Sequence, residues 1–243
     1  MEYTDYVALK ERIVPGLRFN QAIYEEAVQE YVSQQTVWLD AGCGQHIFPR
    51  WREPAEAQLV RKARLAIGCD VDQISIRKHQ TLERLVAADL ERLPFRADSV
   101  GLVTCNMVVE HLAQPLAVFA EFARLLQRGG RVIVHTPNVY SHFVVASRFI
   151  PRFVKLTLVR NLDGRSADEV FPTRYRANSP RKLRALMHRA GLKEEWCRIL
   201  ASEATLARTD PLFVVPELLY IKLTLHPALK FLRSSILASF VKT

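Results

Sequence analysis

Residues 37–44 read Val-Trp-Leu-Asp-Ala-Gly-Cys-Gly, a short apolar run that ends in an acid and two glycines one residue apart. Val37, Trp38 and Leu39 have the character of a buried strand. Glycine at the alternate positions 42 and 44 lets the chain turn sharply and approach a ligand closely without Cβ interference. A strand that stops in this way places its ligand at the carboxyl end, as open α/β sheets do.

Outward from that strand, the pattern alternates. Phe19 to Val32 carries apolar residues at helical spacing and leads into the first strand. After the glycines, residues 45–64 read as irregular and then helical, interrupted by Pro49 and Pro54. A second strand is expected over Leu65 to Cys69, ending in Asp70 and Asp72, then a helix over Ile74 to Leu85 and a brief third strand over Val86 to Ala88, ending at Asp89. Leu93-Pro94-Phe95 is a turn, Gly101 to Cys105 the fourth strand, Pro115 to Leu126 a helix stopped by Gly129-Gly130, and Arg131 to His135 the fifth strand. Asn178-Ser179-Pro180 opens a helix that ends at Gly191, and Trp196 to Leu200 supplies a sixth strand. Strands that alternate with helices call for a parallel sheet covered on both faces.

The chain has 243 residues, 49% of them hydrophobic, which suffices for a substantial core in one domain. Cys43, Cys69, Cys105 and Cys197 are widely spaced, with no CxxC and no signal-peptide pattern, so reduced thiols and a cytoplasmic location are expected. The net charge is +9, and much of the excess lies after residue 140. A globally basic surface is weak evidence for nucleic acid.

A dinucleotide fingerprint would require a third glycine at the sixth position counted from Gly42, where Ile47 stands instead, and this disfavours NAD. What remains is D-x-G-x-G, followed by acids at the ends of the second and third strands. Four ordered strings complete the pattern: Trp38-Leu-Asp-Ala-Gly-Cys-Gly44, Ala88-Asp-Leu-Glu-Arg-Leu-Pro-Phe95, Asn106-Met-Val-Val-Glu-His-Leu112, and Arg124-Leu-Leu-Gln-Arg-Gly-Gly130 followed by His135-Thr-Pro-Asn138. With them the chain resembles the class I S-adenosylmethionine-dependent methyltransferases, in particular their small-molecule, type 11-like group. The resemblance covers roughly residues 20–140, and more loosely 179–200.

The resemblance implies a Rossmann-like α/β fold, three layers α/β/α around a mainly parallel seven-stranded sheet, with a seventh, antiparallel strand sought at Leu212 to Val215. It implies S-adenosylmethionine as cofactor. Asp70 would accept from the ribose hydroxyls, a role open to it if Asp72 caps the next helix. The Asp89 side chain and Leu90 backbone would read the adenine, Gly42, Gly44 and the backbone near Asn106 would cradle the methionine portion, and Asp40 would organise the glycine turn and bind the cofactor's ammonium. The chain departs from the family where His46 replaces a further glycine, where a long proline-broken segment precedes Asp70, and where Gly101 replaces an acid.

Methyl transfer from a sulfonium gains mainly from alignment, and a base is needed only when the acceptor must lose a proton. His111 and His135 are the candidate bases, with either one or neither in that role, and Tyr140 and His142 are placed near the acceptor. No metal site is expected, because Glu110 stands alone where clustered carboxylates would be needed. The proline-rich turn of exocyclic-amine enzymes is missing at Asn106-Met107-Val108, and so is the proline-cysteine nucleophile of cytosine enzymes, so a nucleic-acid acceptor is disfavoured. The expected acceptor is a small molecule, a glycan or a lipid-linked intermediate, methylated on oxygen in preference to nitrogen. The alternative is a catalytically silent module of the same fold, associated with a membrane or a partner protein.

Domain organisation is expected as a methyltransferase domain over 1–210, with its core at 20–140 and 179–200 and a cap insertion at about 140–178, followed by an apolar and basic helical extension over 211–243. Residues 140–160 and 217–243 mix aliphatic and cationic side chains, a composition suited to peripheral contact with the inner face of a membrane. In the second segment Leu218, Ile221, Leu225, Leu229, Leu232, Ile236 and Phe240 recur at intervals of three or four, but charges interrupt them too often for a span. Arg165, Arg174, Tyr175 and Arg176 would grip an anionic acceptor group.

Overall fold

The computed structural model describes residues 3–149, 171–201, 204 and 211–243. Seven strands form one sheet in the order β3-β2-β1-β4-β5-β7-β6: β1 (Val37–Ala41), β2 (Leu65–Asp70), β3 (Arg84–Ala87), β4 (Val100–Asn106), β5 (Leu126–Pro137), β6 (Leu192–Leu200) and β7 (Ser235–Lys242). The pairs β1·β2, β1·β4, β2·β3 and β4·β5 are parallel, and the sheet as a whole is mostly parallel with a couple of antiparallel pairs. β7 opposes β5: the Asn138 N–H beyond the end of β5 donates to Ser234 O just before β7, while Lys242 at the far end of β7 donates to Leu126 O at the start of β5.

The flanking helices are α1 (Tyr3–Ile13), α2 (Asn20–Gln29), α3 (Glu53–Lys62), α4 (Gln73–Ile76), α5 (Pro115–Leu125), α6 (His142–Phe149), α7 (Pro180–Arg189) and α8 (Val214–Thr224). Pro115 opens α5 and Pro180 opens α7, where a missing N–H costs nothing, and Ser179 caps α7 by accepting from the Lys182 N–H. α5 buries Val118, Phe119 and Phe122, in one cluster with Leu39 and Val103 of the sheet. At the start of β5 the pairing register with β4 shifts between Val100 and Leu102. Gly129 sits there at φ +77°, and a Cβ on Gly130 would come within 2.9 Å of Gln127 O, so the bulge needs its two glycines.

Two compact units divide the chain. One, here the sheet unit, is Gln21–Thr136, Arg174–Arg198 and Ile236–Thr243; the other, the helical unit, is Met1–Asn20, Pro137–Thr173 and Ile199–Ser235.

Three expectations are corrected. The helix expected over 74–85 is four residues long, because the chain leaves it to bury His79 and Leu82 before β3. His79 Nδ1 accepts the N–H groups of Thr81 and Leu82, and Leu82 packs where Gly68 of β2 has no side chain. Leu212 to Val215 is not the seventh strand; it is a 3-10 turn leading into α8. Nor is 211–243 a helical extension. It holds α8, a 3-10 turn over Pro227–Leu232 and then β7, which belongs to the sheet unit from Ile236 onward. Much of the expected cap, residues 150–170 including Arg165, lies outside the described residues.

Candidate active site

The candidate site is built from the carboxyl ends of β1, β2, β3 and β4, all in the sheet unit. The chain leaves β1 through Gly42 (φ +77°) and Gly44 (φ +51°), a left-handed conformation that side chains resist. The Gly42 and Cys43 N–H groups both donate to Cys69 O, at 2.7 and 3.1 Å, so the turn is tied to the end of β2. A Cβ on Gly42 would lie 2.3 Å from Val108 Cγ2, whereas the space beside Gly44 is open. Glycine at 42 thus serves packing, and glycine at 44 leaves room.

Asp70 closes the arrangement. One carboxylate oxygen accepts from Gly44 N–H and the other from Asp72 N–H, each at 2.9 Å. Asp72 caps α4 through the Ile74 N–H and the Ser75 hydroxyl, so Asp70 is released from that duty. A carboxylate has about four acceptor positions. Two are used here, which leaves Asp70 able to receive hydroxyl donors beside the open flank of Gly44. The Ala88 N–H donates to Asp70 O and brings the end of β3 alongside. There Leu90 is buried and Asp89 is exposed, its Oδ1 taking the Glu91 N–H.

Beneath the turn, Asp40 is buried and accepts from the Thr104 hydroxyl, which in turn accepts from Trp38 Nε1 at 2.7 Å. Burial above all, opposed by the Thr104 hydrogen bond and aided by the acids Glu56 and Asp70, pushes the Asp40 carboxyl up to about 7. Asp40 is therefore a buried strut of the turn. The long segment after the glycines is fastened by Glu56 of α3, which accepts the Phe48 N–H at 2.8 Å and the Thr81 hydroxyl. Buried Cys43, Cys69 and Cys105 are free thiols, and burial raises all three; Cys69 is pushed up to about 12. They pack as small apolar groups.

At the end of β4, Asn106 donates to Gln21 Oε1 and Ile47 O, and its Oδ1 pairs with His135 Nδ1 at 2.9 Å. His135 is buried, stacks on Tyr24 with ring centroids 5.7 Å apart, and is pushed down to about 4 by desolvation. A histidine this acidic is neutral at pH 7 and a weak proton acceptor. His111 is half-buried at the end of the 3-10 turn Val109–His111.

Two features escaped the sequence reading. Met107 takes φ +57° directly after Asn106, its N–H held by His135 O at 2.8 Å and its side chain exposed; a non-glycine in this region marks a strained position. Glu110 is buried, accepts from the Thr136 hydroxyl at 2.9 Å, and is pushed up to about 7 by burial. Its carbonyl receives the Arg174 and Tyr175 N–H groups, and Asn178 donates to the same Thr136 hydroxyl. Of the arginines considered for an anionic acceptor, Arg174 and Arg176 are exposed and Arg176 donates to Ala113 O. Among the described residues, no group of three or more His, Cys, Asp or Glu is disposed to hold a metal.

A mostly parallel sheet of this order, with a glycine turn and acids at successive strand ends, has the class I methyltransferase fold. Residues 39–134 match the model of a methyltransferase domain family. Among similar proteins, the ubiquinone biosynthesis O-methyltransferase of Neisseria meningitidis is 30% identical over 131 residues, 48% of this chain and 52% of that protein. A probable S-adenosylmethionine-dependent methyltransferase of Mycolicibacterium smegmatis is 30% identical over 139 residues, 53% of this chain and 50% of its own length. The malonyl-[acyl-carrier protein] O-methyltransferase of Hahella chejuensis is 32% identical over 102 residues, 40% of this chain and 35% of that protein. The chain thus spans about half the length, or less, of the relatives it matches. Among solved structures, a methyltransferase-like protein of Bacillus halodurans has a TM-score of 0.57 at 14% identity, covering 92% of this chain and 98% of that one. A geranyl diphosphate C-methyltransferase of Streptomyces coelicolor, solved with S-adenosylhomocysteine, has a TM-score of 0.55 at 13% identity, covering 92% and 81%. These structures share the fold.

Proposed function

We propose that the protein binds S-adenosylmethionine at the carboxyl edge of β1, β2 and β3 and transfers its methyl group to an oxygen of a small-molecule, glycan or lipid-linked acceptor. The observation that carries the cofactor assignment is the Gly42–Gly44 turn locked onto Asp70, with an open flank at Gly44 and unused acceptor positions on the carboxylate. Those groups fit the ribose diol and amino-acid tail of the cofactor. When bound, it supplies an electrophilic methyl on a positive sulfur. Asp70 takes the ribose hydroxyls, exposed Asp89 with the backbone of Leu90 takes the adenine, and Gly42, Gly44 and the Asn106 region line the methionine portion. Asp40 supports the turn from below.

Oxygen as the methylated atom is supported by the names of the Neisseria and Hahella relatives, both O-methyltransferases. Of the two histidines, His111 is the one we assign to proton transfer, if the acceptor must lose a proton. His135, neutral and stacked, holds Asn106 instead.

Calorimetry with S-adenosylhomocysteine tests the cofactor site, and complete absence of binding would sink the assignment. Labelled methyl transfer to fractionated lipids, glycans and RNA of the source cell tests the acceptor. Binding without transfer to any fraction favours a silent module, and labelling confined to RNA overturns the acceptor class. His111→Ala should lower turnover by at least about 100-fold, the usual worth of a general base, with cofactor affinity unchanged; full turnover removes His111 from the chemistry.

A further inference from the structure

Helix α8 of the helical unit is mostly apolar and carries aliphatic residues on opposite sides, a composition that normally means burial all round. Only one side is buried here. Val214, Leu218 and Ile221 pack with Val14 and Leu17 in a common cluster. The opposite side, Val215, Leu219 and Leu223 at successive intervals of four, is open to solvent, and Leu223 is 62% exposed. Leu212 just before the helix is 82% exposed, and Phe231 in the turn after it is half-exposed. An uncovered aliphatic stripe of this kind marks a surface that meets a partner.

Charge identifies the partner. From 211 to 243 the only acid is Glu217, and it is turned inward, buried and paired with His142 Nε2 at 2.9 Å. The cations next to the stripe, Lys222 and Lys230, are exposed. Arg233 is folded back on the carbonyls of Thr224, Leu225 and Ile199, so it shapes the turn after α8. Among the described residues of 211–243, the surface is aliphatic with positive charges at its margin and its one acid is turned inward. A second copy of the chain is a poor match, because a two-fold contact sets each patch on itself and brings lysine against lysine on a chain of net charge +9. No described helix is long and apolar enough to cross a membrane, so the helix would lie along one.

We infer that α8 and the turn after it form a docking surface for an anionic lipid bilayer, with Val215, Leu219 and Leu223 entering the headgroup boundary and Lys222 and Lys230 meeting acidic headgroups. This surface is independent of the cofactor assignment. It gives the chain access to acceptors that reside in or on a membrane.

The test is co-sedimentation of the full chain with phosphatidylcholine vesicles, with and without phosphatidylglycerol. Binding should appear with the anionic lipid and weaken as salt is raised. Lys222→Glu with Lys230→Glu should cut it at least about tenfold, since each basic residue near the surface contributes roughly a fivefold factor. Leu219→Glu with Leu223→Glu should abolish it. Both pairs are exposed, so melting temperature and S-adenosylhomocysteine binding should stay at wild-type values and separate lost docking from lost folding. Absence of binding to the anionic vesicles, equal binding to neutral ones, or a stable dimer by light scattering that the leucine variants dissociate would each overturn the inference.

Discussion

The turn after β1 and the stretch 211–243 are held in place by opposite means. In the turn, shape comes from two positive-φ glycines, three backbone N–H groups and the carboxylate of Asp70, with little apolar area involved. In the carboxyl-terminal stretch, shape comes from burial: Leu218 and Ile221 of α8, then every residue from Ser235 to Phe240 in β7. Damage to the first should appear as lost ligand affinity, and damage to the second as lost stability.

The largest expected effect belongs to β7. Phe240 is fully buried in the sheet-unit core, so Phe240→Ala should cost about 3–5 kcal/mol of unfolding free energy. Leu225 lies on the same apparent helical stripe yet is exposed after α8, and Leu225→Ala should change stability by no more than about 0.5 kcal/mol. Denaturant unfolding of the two variants compares them directly. Similar costs would mean that the stripe is one continuous buried face, contrary to the strand.

Gly42→Ala crosses the two regimes. Its Cβ meets Val108 at 2.3 Å and its φ is +77°, so overpacking and backbone strain together should cost roughly 2–4 kcal/mol and disturb the cofactor turn as well. Asp70→Ala should be milder for the fold and sharper for the ligand. Loss of hydrogen bonds to a charged group weakens S-adenosylhomocysteine binding by about 10–100-fold, measured by calorimetry. Unchanged affinity in both variants would move the cofactor elsewhere.

The same contrast explains what could be read in advance. Asp40, Gly42, Gly44 and Asp70 have identities tied to one backbone geometry, and the order of strands around them followed from β/α alternation. The carboxyl-terminal spacing was ambiguous on physical grounds. An interval of four brings residues to one side of a helix and also to one face of a strand, so Ile236 and Phe240 fit both, and the spacing alone does not separate β7 from a helix. The helix expected over 74–85 stops early because Ile74 is exposed and the His79 ring nitrogen accepts the Thr81 and Leu82 N–H groups. Glu110 was weighed only as a metal ligand because its partners, Thr136 and the Arg174 backbone, lie 26 and 64 residues away and meet it only through the fold.

A pH-dependent effect probes two buried acids, Asp40 beneath the turn and Glu110 beyond β4. Asp40 and Glu110 both titrate near 7 in the fold, against 3.8 and 4.5 ordinarily, because burial disfavours their charge. The native state therefore holds protons that the unfolded chain has released, and the stability tied to this is complete below about pH 4 and lost as pH rises through 7. His79 and His135 act in the reverse sense. Desolvation takes both to about 4, so their contribution is present above 6.5 and lost as pH falls through 4. Between those limits the two pairs oppose each other, so these groups should leave the wild-type melting temperature little changed up to pH 6.5 and lower it only slightly between about 6.5 and 7. Asp40→Asn keeps an acceptor for the Thr104 hydroxyl while removing the ionisation. The variant should gain on wild type as pH is raised from 5 to 7, by no more than about 1.4 kcal/mol per pH unit, and the gain should level off above that. A difference that is flat across that range would show that Asp40 titrates normally and that the turn rests on a charged strut.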